Sequence, residues 1–140
     1  MSIVAPNEAE REIIADILAA HDLALRLYVN DRTPAKPDTA ASYTEASFPG
    51  YAARVLTAAD WTINTAEPPV AQAPEQAFQQ TADAVEQLVY GWYITRADNG
   101  KIRWAERFPA DGPQPSPFKM SRAGDQITLV PTFFLRSVAA

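Results

Sequence analysis

The chain has 140 residues, 47% of them hydrophobic and 21% charged, which suits one globular domain and leaves no room for two. Its net charge is −5 and its 12 basic residues are scattered, so the basic stripe that tracks phosphates is missing and nucleic acid is not expected as a partner. It has no cysteine, which excludes disulfides, thiolate metal sites and cysteine nucleophiles together.

The stretch Met1–Asn7 lacks a basic segment followed by a long apolar run, so no signal peptide is expected. No run reaches the ~20 apolar residues that span a bilayer. A helix is predicted from Asn7, read as the N-cap, with Glu10 in the capping-box position and Glu8 complementing the helix dipole. Ile13, Ile14, Ile17 and Leu18 recur at helical spacing as one apolar face, with Glu12 and Asp16 turned away. The helix should end near His21.

The period then changes to two. Leu23, Leu25, Leu27 and Val29 alternate with Ala24, Arg26, Tyr28 and Asn30, the pattern of a half-buried strand. The proline-stiffened loop Thr33–Asp38 interrupts the ladder. A short strand is expected at Ser42–Ala46, a glycine turn at Phe48–Tyr51, and extended pieces at Val55–Leu56 and Trp61–Ile63, the latter broken by Glu67-Pro68-Pro69. A weaker strand signal centres on Phe78, and Thr81–Leu88 alternatively reads as a helical turn.

Leu88–Thr95 is apolar on both faces, as in a central strand. Gly91 within it marks a bulge or a close backbone approach. Asp98-Asn99-Gly100 is a hairpin turn, and Ile102, Trp104, Glu106 and Phe108 return on the partner strand. Pro109–Phe118 reads as a long exposed loop. After a turn at Gly124-Asp125, Gln126–Leu135 is a last strand, with Pro131 making it an edge or a bulged one. The residues thus predict a single domain over 1–140. It is mostly β, an antiparallel sandwich of jelly-roll type, with an N-terminal segment and helix at 1–21 and a β domain at 22–140.

Little in this pattern carries chemistry. His21 is the single histidine, and a helix C-terminal cation explains it better than catalysis or zinc ligation. Glu106 could face Asp98 or Glu86, but between Arg103 and Arg107 a surface ion pair is the simpler expectation. No phosphate-binding glycine motif occurs, and Asp98-Asn99-Gly100 lacks the bidentate acid of a calcium loop. No catalytic residue, cofactor or metal is therefore expected. Of the aromatic set Tyr90, Trp92, Tyr93, Trp104 and Phe108, most should pack the core, with Tyr28 and Tyr90 the candidates for exposure. The helix face should pack on its own domain, or else dock on a neighbouring subunit.

Four segments together resemble small virion-associated structural proteins of tailed bacteriophages. They are Leu25–Asp31 with Thr33-Pro34, Tyr43–Ala46 with Phe48–Tyr51, Tyr90–Thr95 through Trp104–Phe108, and Gly124–Pro131. The resemblance covers roughly residues 5–132. It implies a structural role without catalytic residues. The implied role is that of a capsid decoration (cement) protein on the outer lattice, made soluble in the host cytoplasm and ending in the virion. Its implied partners are the major capsid protein or another virion protein, and itself as a homotrimer, with neither nucleic acid nor membrane involved. A tail- or fibre-associated adaptor is the alternative, and a carbohydrate-binding host-attachment module a further one. The expected contacts are Ile3, Val4 and Pro6 in the N-terminal segment, Pro34 and Pro37 in the first proline loop, and Pro113, Pro115 and Phe118 in the second. Stiff proline loops lose less entropy on docking.

Overall fold

The computed structural model describes residues 4–64, 69–111 and 116–134. Among them are one helix, α1 (Asn7–Ala20), and eleven strands. These are β1 (Leu23–Tyr28), β2 (Arg54–Leu56), β3 (Thr62–Ile63), β4 (Val70–Gln72), β5 (Gln76–Gln79), β6 (Gln87–Val89), β7 (Gly91–Arg96), β8 (Ile102–Arg107), β9 (Phe118–Met120), β10 (Gln126–Leu129) and β11 (Thr132–Phe134). They form four antiparallel sheets: β2-β1-β7-β8, β3-β4-β11, β5-β10 and β6-β9.

The helix starts one residue earlier in its capping scheme than the sequence predicts. Pro6 holds the N-cap, extended at φ −61° and ψ 159°, and no side chain caps the end. Asn7 is therefore the first helical residue, where its side chain can no longer serve the N-terminal amides. With Pro6 as N-cap, Glu10 falls one place beyond the capping-box position; its amide donates to the Pro6 carbonyl at 2.9 Å and its side chain is buried. Ile14 and Leu18 carry the buried stripe, whereas Ile13 is 40% exposed, so the apolar face is narrower than its composition suggests.

The first strand differs more. β1 lies inside the largest sheet, paired with β2 on one side and β7 on the other. It is buried on both faces, not one. Leu23, Leu25 and Leu27 join the main core with Ile14, Trp92, Ile94 and Phe78. Tyr28, expected to be exposed, is fully buried with Tyr43 and Tyr93 in a second cluster. Tyr43 stacks on Tyr93 at 5.1 Å and meets Tyr28 edge-on at 5.0 Å, arrangements that aromatic quadrupoles favour.

β2 covers only the first half of β1. The second half is met by residues 44–46, which bond through Val29 N to Thr44 O (2.8 Å) and Ala46 N to Leu27 O (2.9 Å). The strand expected at Ser42–Ala46 is thus a single bridge, Tyr28 to Glu45, preceded by a 3₁₀ turn at Ala40–Ser42. Two expected long strands are each divided. Leu88–Thr95 splits at Tyr90 into β6 and β7, which belong to different sheets. Gln126–Leu129 pairs with β5, and beyond Pro131 the chain joins β4 instead. Proline lacks the amide that would continue the ladder, and its carbonyl accepts from Ala73 N at 3.0 Å. Leu135 and the Glu67-Pro68 part of the expected break lie outside the described residues. β4 and β9 had no clear sequence signal.

Two glycine expectations hold. A Cβ on Gly91 would lie 2.2 Å from the Glu106 carbonyl and 2.7 Å from the Tyr28 ring, so only glycine lets β7 and β8 approach there. Gly100 has φ +73°, as the β7–β8 hairpin requires. No helix among the described residues is long and apolar enough to cross a membrane.

Candidate functional site

β8 ends the largest sheet. It pairs with β7 on its inner side, and among the described residues no strand pairs with its outer side. On its core face Trp104 stacks on Phe133 at 4.1 Å and meets Trp61 edge-on at 6.0 Å, which fixes the strand against the main core. On the other face Ile102 and Ala105 pack on the tyrosine cluster.

Beside β8 stands the loop that follows β1, held by one buried carboxylate. Asp38 takes both guanidinium arms of Arg32, the Tyr43 hydroxyl (2.7 Å) and the Ala35 amide (3.1 Å). The Arg32 hydrogen bonds, then that from Tyr43, hold the Asp38 carboxyl far below the usual carboxylate range. Burial, and then the hydrogen bond to Asp38, push the Tyr43 phenol up. Tyr28 adds a bond from its hydroxyl to the Arg32 carbonyl (3.0 Å), and Asn30 ties the far end through Ser42 O and Thr44 N. Tyr28 itself is pushed up to about 12 by burial. The loop is therefore a wall braced through the Asp38 carboxylate.

Between this wall and β8 run two adjoining depressions of about 400 and 490 Å³, which share Asp38 and Ile102. Pro34, Lys36, Arg103 and Ala105 line the first; Ala40, Gly100 and Lys101 line the second. The charges here are unusual for this chain. Elsewhere Arg26, Arg32, Arg96, Arg107 and Lys119 each pair with a carboxylate. Arg54 donates to Ala77 O, and Arg122 acts on Asp125. Lys36, Lys101 and Arg103 are exposed and make no side-chain hydrogen bond or ion pair with the described residues, and all three line the groove.

A second cleft, of about 450 Å³, lies across β8 on the core side, lined by Trp92, Glu106, Phe108, Glu75, Leu129 and Thr132 among others. Glu106 makes no ion pair among the described residues, contrary to the expected pairing with its neighbours. Arg107 instead reaches Asp31 at 2.6 Å and lies over Tyr90, because alternation turns it to the opposite face from Glu106. Desolvation raises the Glu106 carboxyl above its ordinary value. The two carboxylates considered as its partners in a paired-acid site are engaged with cations: Asp98 binds Arg96 and Glu86 binds Lys119. No nucleophile or base lies within hydrogen-bond distance of Glu106 among the described residues. No group of three metal-ligating side chains occurs among them either.

His21 occupies the C-cap of α1, with Nδ1 3.2 Å from Arg96 Nη2 and 3.6 Å from Asp98. Of the expected contact residues, Pro34 lines the groove and Pro37 is exposed on the same loop. Val4 and Pro6 are exposed before α1. Phe118 is not in a free loop; it starts β9, opposite Val89, and packs partly on the core. Ile3, Pro113 and Pro115 lie outside the described residues. Trp92, Tyr93 and Phe108 are buried and Trp104 half-buried, as expected of core aromatics, whereas Tyr90, a candidate for exposure, is half-buried against the tyrosine cluster. The groove itself was not foreseen. Lys36 lies more than sixty residues from Lys101 and Arg103 in sequence, and only the hairpin hint at Asp98–Gly100 bore on where the latter two sit.

These features define, among the described residues, a mostly β chain with one helix and a basic groove between a braced loop and β8, the terminal strand of its sheet. Scans against protein-family models, curated proteins and solved structures each give no match.

Proposed function

We propose that this protein acts by adhesion, as a structural component that binds partner proteins, and that its setting is the phage particle. The observation that carries the adhesive part is the outer edge of β8, unpaired among the described residues, beside a braced loop, a surface ready to accept another polypeptide without reorganising. The four segments similar to virion-associated proteins support the setting. In this reading the chain is a capsid decoration protein, its sheets stacked as a jelly-roll-like sandwich, joined as a trimer on the outer lattice. Weak single contacts suffice there because joined copies gain avidity. A tail or fibre adaptor is the same reading at lower copy number.

The test is a stained gel of purified particles. On the order of hundreds of copies per particle supports decoration, whereas a few tens or fewer moves the protein to the tail. Its absence from particles overturns the setting.

A further inference from the structure

We propose that the groove between the Pro34–Asp38 loop and β8 takes an extended acidic segment of a partner protein, laid against β8 as an added strand. This deepens the adhesive reading above and rests on it.

An edge strand presents a row of main-chain donors and acceptors, and β-addition uses that row for affinity while neighbouring pockets choose side chains. The pockets here are the two depressions along Ile102–Ala105 and Asn99–Ile102, joined at Asp38 and Ile102. Their side-chain charge is positive. Lys36 comes from the wall, Lys101 and Arg103 from the hairpin, and none is neutralised by a described carboxylate. Asp38, the one acid in the lining, is already bound by Arg32 and Tyr43. In a chain of net charge −5, three unpaired cations on one groove form a local field that favours a carboxylate-bearing ligand.

A polypeptide fits better than a nucleic acid. Its main chain alternates donors and acceptors in register with a strand edge, and a phosphate backbone does not. The rest of the acidic surface would repel a long polyanion beyond these three contacts. A purely protective role also exists for such residues, since lysine on an edge discourages sheet-to-sheet aggregation. That role requires no ligand, so binding separates the two.

The experiment measures fluorescence anisotropy of labelled peptides of about eight residues, a typical strand length or slightly more, against the whole chain. The probe alternates Asp with Val and Thr. One control replaces Asp by Lys, a second keeps the charge but places proline at alternate positions, and a third is single-stranded DNA of similar length. The acidic probe should bind and weaken with salt, and each control should bind about tenfold more weakly or worse. The combined Lys36→Glu, Lys101→Glu, Arg103→Glu variant should lose binding by about tenfold or more, with its circular dichroism and urea midpoint retained. If it does not fold, Arg103→Glu alone should weaken binding by about threefold or more.

No binding of the acidic probe to the natural chain, equal binding of the proline peptide, or tighter binding of DNA each overturns the proposal. Copy number in particles is independent of all these outcomes. A failed groove with the protein present in particles leaves the adhesive reading standing, and a working groove with no particle association removes the setting alone.

Discussion

At the residue scale, a few side chains and one missing side chain set the geometry of the β8 face. Gly91 lets the Glu106 carbonyl and the Tyr28 ring come within contact of its own backbone. Gly91→Ala would drive a methyl into main chain that cannot move without breaking the β7–β8 ladder. Overpacking of that kind costs about 1–3 kcal/mol, and urea denaturation of the variant should show it. Asp38 is the second such point. Its carboxyl is held low by Arg32 and Tyr43, so the folded state favours the ionised form. A lowered folded pKa contributes stability that is complete above the ordinary carboxylate pKa of about 4 and is lost as pH falls toward the folded value. The urea midpoint of the natural chain should therefore fall below about pH 4 more steeply than that of Asp38→Asn. Parallel curves would show that the loop does not depend on this carboxylate.

At the element scale, β1 decides most. Like β7, it has neighbours on both sides and cores on both faces, so a cavity there has no solvent side into which to relax. Leu25→Ala, at a fully buried position opposite Ile94, should destabilise by about 2–5 kcal/mol, read from denaturant unfolding at constant slope. Val55→Ala on β2, whose side chain is 59% exposed, should change stability by no more than about 0.5 kcal/mol in the same assay. The contrast also explains the misread face of Tyr28. Alternation of Leu with Ala, Arg and Tyr looks half-buried when only period is read, but the phenol has a hydroxyl acceptor at Arg32 O and two ring partners. Arg26 likewise sits within the sheet because Glu45 and Thr95 meet its guanidinium at 2.9–3.0 Å. Polar residues at alternate positions signal a solvent face only where no other part of the chain satisfies them.

At the scale of the whole molecule, the distribution of charge matters more than its sum. Five of the described cations are held in ion pairs within the chain, whereas Lys36, Lys101 and Arg103 are not, so the groove beside β8 is a positive site on an acidic protein. In the proposed reading the consequence is local: attraction of acidic segments at the groove and net repulsion of polyanions elsewhere.

The amino-acid sequence alone determined the elements whose cause is local. The amphipathic helix, the glycine-dependent hairpin at Gly100, the close approach at Gly91 and the break at Pro131 all follow from backbone chemistry within a few residues. The tertiary structure alone decided what depends on distant partners: that β1 is internal, that one apolar run becomes β6 and β7 in separate sheets, and that positions 36, 101 and 103 share a groove. The reason is physical. Dihedral preference and hydrophobic period act over a turn or a strand, whereas burial, ion pairing and an unpaired edge exist only once chain segments far apart in sequence have met.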